Sequence, residues 1–548
     1  MRMQLSRSAH VDTFCRDNLP PQDQWPEFRF DIPGVQYPER LNCAVELLDK
    51  VIEEHGGDRT CLLTPAGERW TYQELLDSAN RIANHLVDDL GIVPGNRVML
   101  RGPNNPWLVA CWFAVLRAGA VVIPTMPLLR PRELQVMGEI GRFDLALCDH
   151  RFVADLEAAG IPELRIVEYA GEGAADLAAR VADKSATFEP VDTAADDVCT
   201  LAFTSGTTGK PKATMHFHRD ILANADTFSA EVLKPVADDV FTGTPPLAFT
   251  FGLGGLVVFP MRVGASSLLI EKTTPADLAD LIQEHGVTVC FTAPTAYRAM
   301  LAAGKAPQLR GLRRAVSAGE HLPASTWEAF REQTGLAIID GIGSTEMLHI
   351  FISAADGDIR PGATGRPVPG YQAMILDAMG QPAPDGTPGR LAVKGPTGCR
   401  YLADERQAVY VQDGWNVTGD TFVRDEDGYF WYQARSDDMI VSSGYNIAAP
   451  EVEEALMAHP SVLEVAVVGM PDPDRGAVVS AHVVLTEEAA AAAAQDADAV
   501  RKELQDHAKA QIAPYKYPRR VEFVEALPRT STGKVQRYRL REPDGPRR

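Results

Sequence analysis

Apolar positions along this chain alternate between two periods. Residues 71–91, TYQELLDSANRIANHLVDDLG, carry them three and four apart, the spacing of a helix with one buried face. Thr71 with Glu74 three residues on forms a capping pattern, and Gly91 is the expected stop. Short continuous apolar runs flank such segments. NRVML (96–100) and AVVIPT (120–125) read as strands, with NPWLVACWFAVLRAG (105–119) as a helix between them. The pattern returns: ADLADLIQEHG and PTAYRAMLAAG are helical, VTVCFTA and LRRAVSAG are strands. Unbroken apolar strands separated by helices predict parallel sheets covered on both faces. No repeat of 20–50 residues is visible.

The pattern changes near Asp437. Before it, EDGYFWYQAR carries an Asp-Gly turn inside an aromatic hairpin. After it come a helix, PEVEEALMAHP, two strands, VLEVAVVGM and AVVSAHVVL, a helix, RKELQDHAKAQI, and a last strand, RRVEFVEALP. This predicts a large unit over 1–436 and a small α+β unit over 437–548. The Ala-rich Glu487–Val500 reads as a loop or helix extension without chemistry, and EPDGPRR as a frayed tail.

Composition excludes some roles. At 548 residues the chain can bury several cores. A net charge of -21 argues against a duplex nucleic-acid binder but leaves room for a nucleotide held by local cations and backbone N–H groups. The eight cysteines form no C-x-x-C pair, which disfavours zinc or a redox motif and suits buried thiols in a reducing cytoplasm. The first residues lack a signal-peptide core. The longest apolar stretch, Trp107–Pro124, is interrupted by Arg117 and reads as a buried helix and strand, not a membrane span.

The strongest chemical signal is TSGTTGKPK, Thr204–Lys212, after an apolar strand. Glycines let backbone N–H groups approach an anion, hydroxyls add donors and lysines add charge, which is phosphate-cradling chemistry. Only two residues separate Gly206 from Gly209, so the loop is not a Walker P-loop. In DGIGSTE, Asp340–Glu346, a strand ends in a Gly-rich turn whose carboxylate suits Mg²⁺. In VTGD, Asp420 at a loop end suits ribose hydroxyls, although a TGD tripeptide alone is a weak signal.

These motifs, in this order, resemble the adenylate-forming superfamily of acyl-CoA synthetases, adenylation domains and firefly-type luciferases; the resemblance spans roughly residues 40–540. It implies an α/β fold of layered sheets with a β-barrel-like subdomain and a small mobile α+β C-terminal domain. It implies ATP, Mg²⁺ and coenzyme A as reactants, with Thr204, Ser205, Gly206, Thr207, Thr208, Gly209 and Lys210 around the phosphates. Asp340, Gly341, Ser344 and Thr345 join them, with Thr345 on the α-phosphate and Glu346 on the metal. Gly319 and Glu320 of SAGEHLP would line the adenine, Tyr432 would pack on adenine or ribose, and Asp420 and Arg435 would contact ribose. Asp437 would be the hinge, and Ser443, Gly444 and Tyr445 would line the thiol tunnel. Lys534, in PRTSTGKVQR, would bridge the substrate carboxylate and the α-phosphate, making Lys534, Glu346, Thr204 and Thr345 the catalytic set.

PPLAFTFGLGG resembles the loop lining the acid pocket. Phe249, Thr250, Phe251 and Gly252, with Ile342, Gly343 and His349, would form a flat apolar slot suited to an aromatic ring. Ile342 stands where most of the family has an aromatic residue, and this G-I-G-S-T-E form is similar to the benzoate and aminobenzoate ligase branch. The stretch Phe14–Asp49 also resembles 2-aminobenzoate-CoA ligases. The implied substrates are 2-aminobenzoate first, then benzoate or 2-hydroxybenzoate. Two other readings are open: an adenylation enzyme that loads a separate carrier protein's phosphopantetheine, and a non-catalytic nucleotide-binding regulator. Monomer and homodimer are both compatible with the charge; neither nucleic acid nor membrane is an expected partner.

Overall fold

The computed structural model describes residues 5–204, 211–435, 440–442, 445–472, 476–512, 516–529 and 535–541. Two large sheets carry the first part of the chain. The six-stranded sheet runs Arg165–Tyr169, Leu145–Asp149, Arg97–Arg101, Val121–Thr125, Val198–Thr204, Lys212–Phe217; only the last strand is antiparallel to its neighbour. The nine-stranded sheet has a parallel centre that ends in Val289–Thr292, Arg314–Ser317 and Ile338–Gly343, with antiparallel Ile350–Ser353 beyond it. Leu145–Asp149 and Val289–Thr292 are buried at every position, as apolar runs without alternation require.

The apolar stretch from Trp107 becomes helix Pro106–Arg117 followed by strand Val121–Thr125. Nearly the whole helix is buried. Arg117 is buried too, its guanidinium paired with Asp49 and donating to the Phe188 carbonyl. Helix Tyr72–Asn84 packs on it and starts at the predicted box: Thr71 Oγ1 accepts from the Glu74 N–H at 3.1 Å and Glu74 accepts from the Thr71 N–H at 2.7 Å. All eight cysteines are free and buried.

The unit expected to be barrel-like is a five-stranded antiparallel sheet that includes Gly389–Lys394, Trp415–Arg424 and Phe430–Arg435. The aromatic hairpin closes as predicted, with the Gly428 N–H donating to the Asp425 carbonyl. Beyond Ile440 a smaller α+β body builds its own core from Ile440, Val452, Leu456, Val467, Val479, Val483 and Leu504. Glu487–Gln495 in the Ala-rich segment is a separate helix capped by Thr486. It breaks from helix Ala497–Gln511 at Asp496, whose φ of -148° is extended. Glu454 of the small body faces the start of helix Ala324–Thr334 in the large one, and although burial pushes its carboxyl up, the backbone of Ala324 and Ser325 pulls it down.

Candidate active site

Strands Val198–Thr204 and Lys212–Phe217, which flank the phosphate-type motif in sequence, run antiparallel at a sheet edge with Thr204 opposite Lys212. Its residues Ser205, Gly206, Thr207, Thr208, Gly209 and Lys210 lie outside the described residues. The segment Arg400–Leu402 lines the free side of strand Lys212–Phe217: the Met215 N–H donates to the Arg400 carbonyl at 2.7 Å and the Leu402 N–H to the Ala213 carbonyl at 2.9 Å. The buried Arg400 guanidinium pairs with Asp220 and lies 3.8 Å from the centre of the Phe217 ring.

Opposite this edge, strand Ile338–Gly343 ends and Ser344–Leu348 turns sharply; the Leu348 N–H donates to the Thr345 carbonyl, with Leu348 at φ +72°. The dipeptide Thr345–Glu346 is held from three segments. His216 Nε2 lies 2.8 Å from the Thr345 carbonyl, which can only accept, so that nitrogen carries the proton. The Tyr401 hydroxyl donates to Glu346 Oε1 at 2.5 Å. Tyr410 reaches Ser344 Oγ at 3.4 Å, one residue before Thr345. Lys212 Nζ donates to the Tyr401 oxygen at 2.5 Å and lies 3.4 Å from Glu346 Oε1. Glu346 thus presents a nearly buried carboxylate that already faces a cation.

The adenine-side and ribose-side candidates gather on neighbouring elements. Asp340 is on strand Ile338–Gly343, and burial pushes its carboxyl well up from the usual carboxylate range, against the pull of Ser317 and the Gly341 backbone. Gly341 follows it, and a Cβ there would meet Ile350 Cγ2 at 2.7 Å. Gly319 sits at φ +87° beside Glu320, a backbone that favours glycine. The His321 ring stacks on Tyr432 at 5.5 Å, and burial pulls its pKa down to about 4. Asp420 lies within strand Trp415–Arg424, not at a loop end as its tripeptide suggested, and a register irregularity follows at Thr421/Phe422. That strand sets Asp420 opposite Arg435, bringing the two ribose candidates into register.

Of the acid-slot candidates, Phe251 and Gly343 pack on His349. Phe249 precedes a short helix, Thr250–Leu253, whose Leu253 N–H donates back to the Phe249 carbonyl at 2.8 Å. Phe251 meets Phe291 edge-on at 5.5 Å and the His349 ring at 5.5 Å; Phe259 closes the other side at 4.6 Å and Phe228 stacks at 5.5 Å. Gly254 allows this closeness, since a Cβ there would lie 2.4 Å from His349 Cδ2; Gly252 instead packs on the Pro246 backbone, where a Cβ would lie 2.1 Å from the carbonyl oxygen. Gly343 packs on the His349 backbone, and Ile342 is half-buried beside it. Burial pulls the His349 pKa down to about 3, with only the Phe251 backbone pulling the other way, so the imidazole is neutral. Among the described residues, neither ring nitrogen has a hydrogen bond of good geometry.

Lys534, Asp437, Ser443 and Gly444 lie outside the described residues, as does the side chain of Tyr445, which belongs to strand Tyr445–Ile447. The segment that carries Lys534 is closed at its base: Arg529 bridges Val535, and the Gln536 N–H donates to the Pro528 carbonyl at 2.7 Å. Arg529 is tied to Glu464 at 2.7 Å and Arg537 to Glu453 at 2.8 Å.

A second group, Cys43, Cys199 and His218, brings three ligand-type atoms within 4.8 Å of one another. Burial and the adjacent Cys199 push the Cys43 thiol well up, and His218 Nδ1 accepts from the Cys43 N–H at 3.2 Å. A protonated thiol and an engaged imidazole nitrogen are the chemistry of a packed core.

Sequence reasoning did not single out Lys212, His216, Tyr401 or Tyr410 as site residues. Lys212 was within the quoted loop motif, but the lysine next to Gly209 drew the phosphate role. The two tyrosines, in the unremarked stretch 400–410, look like core aromatics until the fold brings Tyr401 to Glu346 and Tyr410 to Ser344.

Residues 48–401 match a family model described as AMP-binding enzyme, and residues 451–534 match the AMP-binding enzyme C-terminal domain. The chain is 36% identical over 519 residues to a benzoate–CoA ligase of Thauera aromatica, covering 93% of this chain and 97% of that protein. It superposes on the solved anthranilate CoA ligase AuaEII in complex with anthranoyl-AMP with a TM-score of 0.86 at 34% identity, covering 93% of this chain and 98% of that one. A solved benzoate CoA ligase from Burkholderia xenovorans LB400 gives a TM-score of 0.82 at 32% identity, covering 92% of this chain and all of that one (100%).

Proposed function

The chain belongs to the AMP-binding enzyme family, and from that premise we propose that it is an AMP-forming aryl-CoA ligase whose first substrate is 2-aminobenzoate. One observation carries the reading. A single strand end, Ile338–Gly343, continues into Thr345–Glu346, facing Lys212 at the foot of the phosphate-type motif, and three residues later into His349, inside a cluster of phenylalanine rings. A phosphate and a flat apolar acid would therefore meet at one turn.

The chemistry has two steps. The aryl carboxylate attacks the α-phosphorus of ATP; an acyl–O–P bond forms, and the bond to pyrophosphate breaks. Thr345 and the residues from Thr204 to Lys210 would hold the phosphate oxygens, and Lys534 would add positive charge where negative charge develops. Mg²⁺ fits Glu346, since that carboxylate is a hard anionic oxygen that already faces the Lys212 ammonium at 3.4 Å. When bound, the ion supplies charge neutralisation at phosphate oxygens. In the second step the thiol of coenzyme A attacks the acyl carbon, a C–S bond forms and AMP departs. The small body would rotate about Asp437 between the steps and replace Lys534 with the Ser443–Tyr445 segment.

Support for 2-aminobenzoate comes from the resemblance of Phe14–Asp49 and of the slot motifs to ligases of that acid, and from the likeness to the anthranilate ligase structure. A neutral imidazole beside the slot can accept from an ortho-amino group, which a protonated one could not. The test is pyrophosphate release with ATP and Mg²⁺ over a panel of benzoates, with and without coenzyme A. The expected result is aryl-acid-dependent release led by 2-aminobenzoate, with AMP and the aryl thioester formed once coenzyme A is added. Release only with aliphatic acids, or thioester formation only on a carrier protein, would overturn it.

A further inference from the structure

Tyr401 is fully buried and rigidly placed. Its two neighbours in sequence, Arg400 and Leu402, are hydrogen-bonded to strand Lys212–Phe217, and its own N–H donates to Gln407 Oε1 at 2.8 Å. Its ring meets Tyr410 edge-on at 5.8 Å. The hydroxyl so fixed donates to Glu346 Oε1 at 2.5 Å and accepts from Lys212 Nζ at 2.5 Å. The Lys212 ammonium also lies 4.4 Å from the centre of the Tyr401 ring. One phenol therefore sets the position of both the carboxylate and the cation that faces it.

A buried carboxylate held by a single hydroxyl donor from a braced segment has its rotamer chosen for it. Groups of this kind orient metal-binding carboxylates, and their loss weakens metal binding by about 10–100-fold. We propose that Tyr401 is a positioning residue for the Glu346 carboxylate toward a nucleotide-bound divalent cation. The Lys212 ammonium is the counter-charge that Glu346 faces in this structure, so arrival of the cation must draw the carboxylate away from Lys212 or move Lys212 toward the phosphates. This deepens the proposed adenylation and rests on it.

Tyr401→Phe removes one oxygen and leaves the ring, its neighbours and the Gln407 bond in place. The first readout needs no turnover: calorimetric affinity for ATP, without acid, in Mg²⁺ and in EDTA. The gain in affinity that Mg²⁺ confers should fall about tenfold in the variant, with affinity in EDTA unchanged within twofold. The second is thioester formation from synthetic aryl-adenylate and coenzyme A, which involves no pyrophosphate and should proceed at the wild-type rate. An unchanged Mg²⁺ gain overturns the proposal, as does an equal loss in both readouts, which would mark a general packing defect. If the wild-type chain releases no pyrophosphate with any acid, the adenylation reading fails, while the calorimetric ratio still decides the role of Tyr401.

Discussion

The two ends of the turn that follows strand Ile338–Gly343 are held by opposite means. Thr345–Glu346 is fixed by hydrogen bonds: His216 on its carbonyl, Tyr401 on its carboxylate, Tyr410 on its neighbour Ser344 and Lys212 across from it. His349, three residues on, is fixed by shape: four phenylalanine rings enclose an imidazole without a well-formed hydrogen bond among the described residues. Directional bonds suit a place where charge must be met at a set geometry. Ring packing can be altered one side chain at a time without disturbing charge, which suits a place where one substrate is chosen over another.

Breaking the charged end should cost most. Lys534→Ala and Glu346→Ala are each expected to lower pyrophosphate release by 100-fold or more, the scale of about 2.7–4 kcal/mol lost with one transition-state contact. Both should spare thioester formation from synthetic aryl-adenylate, measured by single-turnover assay. An equal loss in the two half-reactions would merge roles that are kept apart here.

Crowding the shaped end should cost less and differently. Gly254→Ala would drive a methyl group to 2.4 Å from His349 Cδ2, and overpacking of this kind costs about 1–3 kcal/mol. The expected outcome is a rise of about tenfold in KM for aryl acids, unequal between benzoate and 2-aminobenzoate, with KM for ATP unchanged. Steady-state kinetics with each substrate varied checks it.

A further effect concerns stability, not turnover. His349 titrates at about 3 in the folded chain and near 6.5 when unfolded, so between those values the unfolded state binds the extra proton. Stability is therefore lost as pH falls from 6.5 toward 3, by about 1.4 kcal/mol per pH unit for one such group. His218, also drawn down to about 3, and His321, at about 4, add to the same slope. His349→Gln should flatten urea-unfolding free energies between pH 6 and pH 4 by about 1 kcal/mol per unit. An unchanged slope would show that the imidazole is not buried and neutral.

Most of the architecture was legible in periodicity, because both faces of the parallel sheets are covered and their strands read as unbroken apolar runs. The capping box at Thr71 and the hairpin before Asp437 were legible for the same kind of local reason. The charged shell was legible only in part. Glu346 and Thr345 stand in a motif, but Tyr401 is 55 residues from Glu346 and His216 is 129 from Thr345. No local pattern marks a contact made by sheet-edge pairing. Asp420 was misplaced at a loop end because the Thr-Gly-Asp turn signal is overridden by pairing with strand Phe430–Arg435.

The division of labour between the two ends is tested most directly by crossing their variants with both readouts. Tyr401→Phe and Gly254→Ala would each be measured for Mg²⁺ dependence and for the ratio of kcat/KM between 2-aminobenzoate and benzoate. The account predicts that Tyr401→Phe raises the Mg²⁺ requirement and leaves the ratio of acids alone, while Gly254→Ala changes the ratio and leaves the Mg²⁺ requirement alone. A Tyr401→Phe enzyme that re-ranks the acids, or a Gly254→Ala enzyme that needs more Mg²⁺, would contradict it.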